Sequence, residues 1–199
     1  MSDDQFSAGP VPQFSAGPGP EAEQVLLEAV AAEIEAYVGL AGWDLAPALF
    51  ALVPTRVLAA DPAAAAALGS AVGTDPSQIS PDSITPVAQE ELPEGPLDEA
   101  LAQIGWPEEV LGCALSQEIV LLPPSVESEL DDLSLESAAA TALEHPDRRE
   151  ARLVVAVLRS GRSASLLRLR GTAETGDELL TGPELAPNLV AALSATLAD

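Results

Sequence analysis

Every positive side chain in this sequence is an arginine, so arginine is where any recognition chemistry must begin. Arg56, Arg148, Arg149, Arg152, Arg159, Arg162, Arg168 and Arg170 make up all 8 Lys plus Arg, which leaves no lysine at all. That absence excludes the lysine of a phosphate loop, the strand lysine of a kinase and any Schiff base through a side-chain amine. A guanidinium stays charged and forks onto carboxylates or phosphates. Its chemistry here is the holding of an anion or an acidic group, not proton transfer.

The remaining chemistry-bearing types are sparse. His145 is the single histidine and Cys113 the single cysteine. One histidine in a proline-bounded connection is too little for a histidine zinc site, and no Gly-x-Ser-x-Gly elbow supports a serine triad around it. Cys113 falls on the apolar face of an alternating run, which favours a buried structural thiol over a nucleophile. Adjacent acids at Glu90-Glu91, Glu108-Glu109 and Asp131-Asp132 match no calcium-loop spacing, and in a chain with 32 Asp plus Glu such neighbours arise by chance. Trp43 and Trp106 each follow a glycine at the edge of an element and read as packing anchors. The sequence therefore offers no catalytic residue, no metal set and no cofactor site.

The charge is strongly one-sided. The formal net charge is −24 over 199 residues, yet residues 148 to 170 hold seven of the arginines against one acid, Glu150. The chain is an acidic body carrying one basic segment. Such a field repels phosphate backbones and anionic lipid, which argues against nucleic-acid and membrane-surface partners. No apolar run reaches the ~20 residues of a membrane span and no basic, apolar leader opens the chain, so a cytoplasmic location is expected.

The elements that must position these arginines follow from periodicity. Residues 1–19 repeat Phe-Ser-Ala-Gly-Pro and carry no helical or strand period, as a flexible tail would, and residues 20–199 form the folded unit. Pro20 with Glu21 and Glu23 opens a helix whose apolar positions are Leu27, Val30, Ile34 and Tyr37. Asp61-Pro62 is a start signal for a polyalanine helix ending at Gly69. Strands are expected at 48–53, 110–122, 151–159 and 162–170, a short helix begins at Leu97, and long acidic connections occupy 74–96 and 123–150. The closing helix carries Leu189, Val190, Leu193 and Leu197, and starts either at the Thr181-x-x-Glu184 capping pattern or a turn later, around Pro187. The predicted fold class is α+β, a single domain with an antiparallel sheet of about four strands covered by the N- and C-terminal helices.

If Ser160-Gly161 forms a two-residue turn, Arg159 faces Arg162 and shares one sheet face with Arg168 and Arg170, around Leu153, Val155, Val157 and Leu166. Like charges on one face oppose folding unless something negative neutralises them. Carboxylates of the acidic body are the first choice, and an anionic ligand or acidic partner held by Arg159, Arg162, Arg168 and Arg170 is the competing one.

The segments LFALVPT (49–55), WPEEVLGCAL (106–115), IVLLPP (119–124), EARLVVAVLRSG (150–161) and LLTGPELAPNLVAAL (179–193) resemble a family of uncharacterised, acidic actinobacterial proteins. The resemblance spans most of residues 25–198 and leaves out the repeat tail. It implies a soluble intracellular protein and carries no activity, cofactor or site residue. The functional expectation is a non-catalytic interaction or regulatory protein, chaperone-like towards a basic protein partner, because the chemistry inventory is nearly empty while the charge gives long-range steering. The alternative is a small anionic-ligand-binding protein or enzyme built on the arginine-bearing hairpin. Mimicry of nucleic acid would need rows of acids, and these are scattered.

Overall fold

Residues 149–158 are apolar on both faces through their middle, and a strand of that kind belongs at the centre of a sheet covered on both sides. In the structure, a computed structural model that describes residues 19–60, 63–64, 83–90, 92–93, 95–123, 126, 134–171, 175–182 and 185–198, this run is a central strand. The helices are α1 (Pro20–Gly39), α2 (Thr55–Ala60), α3 (Leu97–Leu101), α4 (Leu135–Glu144) and α5 (Pro187–Thr196). The strands are β1 (Ala48–Pro54), β2 (Ile84–Ala88), β3 (Gly112–Leu121), β4 (Arg149–Leu158), β5 (Ser163–Leu169) and β6 (Glu178–Thr181). They form one six-stranded sheet in the order β2-β1-β3-β4-β5-β6, antiparallel throughout. The α+β class stands, with six strands where four were expected.

The two added strands are the sheet edges, and each lacked a local signal. β2 lies inside the expected 74–96 connection and contains Pro86, which disguises it. Proline is tolerated there because Gln89 N–H donates to the Leu49 carbonyl at 2.9 Å. That bond gives the odd residues of β2 to β1 and points the proline nitrogen outward. β6 spans four residues, all exposed, so it has no buried face to leave a pattern. Thr181 therefore ends a strand instead of capping a helix, and α5 begins at Pro187, the later of the two expected starts. Within the expected 123–150 connection α4 forms, and the Ser134 hydroxyl accepts the Ser137 N–H at 3.4 Å at its start.

The β4–β5 hairpin corrects the register on which the arginine face was built. The Leu158 N–H donates to the Arg162 carbonyl and the Gly161 N–H to the Leu158 carbonyl, both at 2.9 Å, so the loop is three residues, Arg159-Ser160-Gly161. Gly161 supplies the left-handed position at φ 85° that such a loop needs. Arg152 is thus opposite Arg168 and Val154 opposite Leu166. A one-residue change in register exchanges the faces. Arg162, Arg168 and Arg170 lie on the α1 face with Arg152, and Arg159 projects to the α5 face.

Two apolar layers hold the helices on the sheet. On one face α1 buries Leu27, Val30, Ala31, Ile34 and Val38 against Phe50, Leu52, Ala114, Val154 and Ala156. Val38, four residues after Ile34, takes the place expected for Tyr37, which is 63% exposed and meets Phe50 edge-on at 6.4 Å between ring centroids. On the other face Leu193 of α5, Leu197 just after it and Leu101 of α3 pack on Cys113, Leu115, Leu153, Val155 and Val157. Burying a Leu or Val side chain contributes about 1.5–3 kcal/mol, so the bulk of the stabilisation sits on β3 and β4. The repeat tail up to residue 18 and most of the polyalanine segment, 61–62 and 65–69, lie outside the described residues.

Candidate functional site

α1 runs over β4 and β5 and carries one carboxylate into its apolar face. Glu35 follows Ile34 on the buried stripe and is 3% exposed. It meets the two arginines that the hairpin register sets side by side. Arg168 donates through Nε to Glu35 Oε1 at 2.5 Å and through Nη2 to Oε2 at 2.6 Å, a bidentate fork. Arg152, 2% exposed, places Nη1 3.6 Å from the same Oε1. Its Nη2 donates to Glu118 Oε1 at 3.2 Å and to the Gly42 carbonyl. Its Nε is buried with no hydrogen-bond partner among the described residues. The guanidinium packs close to α1 at Gly39, where a Cβ would stand in van der Waals contact with Arg152 Nη1 at 3.4 Å.

The connection from α1 to β1 closes the layer. The Trp43 ring lies 4.6 Å from the Arg152 guanidinium and 5.2 Å from that of Arg170, stacking on both cations. Asp44 adopts φ 67°, a left-handed position that Asp tolerates. There its N–H donates to Glu118 Oε2 at 2.8 Å, while its carboxylate lies 3.3 Å from Arg170 Nη1. Arg170 also bonds Glu150 at 2.5 Å. Hydrogen bonds raise both outer arginines above an already high pKa, to Glu35 for Arg168 and to Asp44 then Glu150 for Arg170. A guanidinium so held does not exchange a proton near neutral pH. The layer fixes α1, Trp43 and the sheet to one another and presents no acid–base pair.

Arg162 stands apart, 3.2 Å from Glu23 in the first turn of α1. Arg159 is on the other face. Its Nε donates to the Val110 carbonyl at 3.0 Å and Nη2 to the Trp106 carbonyl at 3.1 Å, and Nη1 reaches the Leu197 carbonyl at the end of α5, where a cation suits the helix dipole. The sequence reading missed Arg152, Glu35, Glu118 and Asp44. The signal that could have found Arg152 was the three-residue Arg-Ser-Gly loop, which sets it opposite Arg168.

The other singled-out residues take structural places. Cys113 is fully buried, with Sγ 3.6 Å from Thr196 Oγ1, and burial pushes its thiol up to about 11. Trp106 donates its indole N–H to Thr196 Oγ1 at 2.9 Å, and Trp43 stacks on arginine, so both anchor packing. His145 ends α4, and its Nδ1 accepts the Asp147 N–H at 3.1 Å. Among the described residues no three of His, Cys, Asp and Glu converge as a metal set. No helix among them is long and apolar enough to cross a membrane. A shallow cavity of about 230 Å³ lies beside Arg148, Arg149 and Arg170, with Glu150 also on its wall.

These features define a single-sheet α+β protein whose two faces are covered by helices and whose hairpin arginines are tied to carboxylates and carbonyls. Residues 27–198 match the model of the PPA1309-like protein family, an uncharacterised family, and the chain belongs to it. No curated protein and no solved structure matches the chain.

Proposed function

We propose that this protein is a non-catalytic interaction protein that binds a basic protein partner through its acidic surface, in a chaperone-like or regulatory role. One observation carries the reading. Arg148, Arg149, Arg152, Arg162, Arg168 and Arg170 each stand within 4 Å of a carboxylate, at 3.8, 3.8, 3.2, 3.2, 2.5 and 2.5 Å. These arginines are thus paired with carboxylates, in a chain whose net charge is −24. A field of that sign steers cationic partners to the surface and repels anions. Affinity capture from the native host at about 50 mM and 500 mM salt tests it, because surface attraction fades over a Debye length that shrinks with ionic strength. Capture of a basic protein that is lost at the higher salt supports the reading, and salt-independent capture or capture of acidic species removes it.

The competing reading, a small anion held by the hairpin, has the cavity beside Arg148, Arg149 and Arg170 in its favour. Arg148 and Arg149 are the loosest of the paired arginines, with 40% and 55% of their side chains exposed. Binding of inorganic phosphate that is lost in Arg149→Gln would establish it.

A further inference from the structure

The two edges of the sheet are not equivalent. On β2 the outward residues are Ile84, Pro86 and Ala88, and Pro86 has no N–H to offer, which blunts that edge against strand addition. On β6 the Gly182 N–H donates to the Ser165 carbonyl at 3.0 Å, so the even residues of β6 bond to β5. In an antiparallel ladder the odd residues then turn their N–H and C=O groups outward. These are Leu179 and Thr181, and neither is proline. The same strand exposes Leu179 and Leu180 at 47% and 40%, and Leu185, close beyond it against Gly182, at 42%. Outward backbone groups with no partner among the described residues, flanked by exposed leucines, are the features that recruit an added strand.

We propose that β6 is a docking edge for an extended segment of the partner, alternating apolar and basic residues, which joins the sheet as a seventh, antiparallel or parallel strand. The sign of the partner rests on the reading under Proposed function, and the ground beside the edge agrees with it. Between α1 and β5–β6 lies a cavity of about 260 Å³ lined by Gln24, Glu28, Ala31, Leu166, Thr181 and Gly182. A side chain of the added strand on the α1 face enters there, and Glu28 is its exposed carboxylate. Exposed Asp177 adds negative charge at the other end of the strand, where Glu178 is already paired with Arg149 at 3.8 Å. On the opposite face an apolar side chain meets Leu180. The net charge of −24 disfavours a second copy of the chain as the occupant.

The test uses the full chain and a synthetic peptide alternating valine and lysine, alongside its backbone N-methylated form and a form with glutamate for lysine. The lysine peptide should protect the Leu179 and Thr181 amides from exchange while leaving Leu180, already bonded to β5, unchanged. N-methylation should weaken binding at least about tenfold, because it removes the donors of the new ladder. Thr181→Pro should weaken it to a similar degree, since that substitution deletes an outward N–H and no bond to β5. The methylated peptide needs no variant protein, so a folding defect in Thr181→Pro cannot hide the answer. Binding of all lysine peptides alike, methylated or not, overturns the edge and leaves the acidic-surface reading in place. Equal binding of the glutamate peptide overturns the basic partner and that reading with it. Concentration-dependent self-association abolished by Thr181→Pro would make a second copy the occupant and overturn the proposal.

Discussion

Replacing Arg168 with Gln asks whether the hairpin arginines are bound to the fold or held apart for something else. The substitution removes two charge-assisted bonds to Glu35, at 2.5 and 2.6 Å. Bonds to charged groups contribute about 1.5–3 kcal/mol each, and Arg168 is partly open to solvent, so a loss of about 2–3 kcal/mol is expected in total. Glu35 keeps Arg152 at 3.6 Å, which holds the loss below that of an orphaned buried charge. The converse change, Glu35→Gln, leaves Arg152 at 2% exposure with Glu118 as its remaining carboxylate. Breaking a buried pair from one side costs about 3–5 kcal/mol. The double variant should lose less than the sum, by about 1–2 kcal/mol, because each change removes the same contact. Urea melts of the three variants supply the values, and each kcal/mol should lower the melting temperature by about 2–4 °C for a chain of this size. With Glu35 almost fully buried, the losses should change little between low and high salt. A stabilised Arg168→Gln, or additive single variants, would return the hairpin to the anion-binding reading.

Gly112→Ala should destabilise the fold at the upper end of about 1–3 kcal/mol, since a Cβ there would stand 2.1 Å from the Val157 carbonyl oxygen. A neutral urea midpoint would show that the β3–β4 ladder yields. The Cys113 thiol should resist maleimide at pH 7–8 until urea unfolds the chain, as labelling followed by mass spectrometry reads directly. Burial puts its folded pKa at about 11, above the ordinary thiol value of 9.0, so the native state holds the proton longer. Stability from this source is intact below about pH 9 and is lost as pH rises towards 11, and Cys113→Ala should flatten that limb of the pH profile. Arg159→Lys should cost about 1–2 kcal/mol in a thermal melt, because an ammonium cannot span the Val110, Trp106 and Leu197 carbonyls together.

The centre of the fold was legible in the sequence and its rim was not. β4 announced itself by apolar residues on both faces, and α1 by Pro20, Glu21 and the spacing of Leu27, Val30 and Ile34. β2 and β6 are short edge strands that owe much of their stability to pairing with β1 and β5, and beyond Ile84 neither buries a full face, so neither Ile84–Ala88 nor Glu178–Thr181 had to carry a period of its own. The arginine constellation was legible as a cluster in sequence and misplaced in space by one residue of loop length. That single residue moved Arg159 to the far face and brought Arg152 beside Arg168. Glu35 was hidden by its setting. A carboxylate on an apolar helix stripe carries no local cue to its partner, which arrives from a hairpin far along the chain.

The proposed role has two halves, a surface that recognises positive charge and hairpin arginines held by the protein's own carboxylates and carbonyls. Calorimetric titration of the folded chain with a lysine-rich peptide and, separately, with a short polyphosphate at low salt tests both halves at once. The lysine-rich peptide should bind saturably, more weakly as salt is added, and polyphosphate should give no heat. Binding of polyphosphate without binding of the cationic peptide would contradict that role.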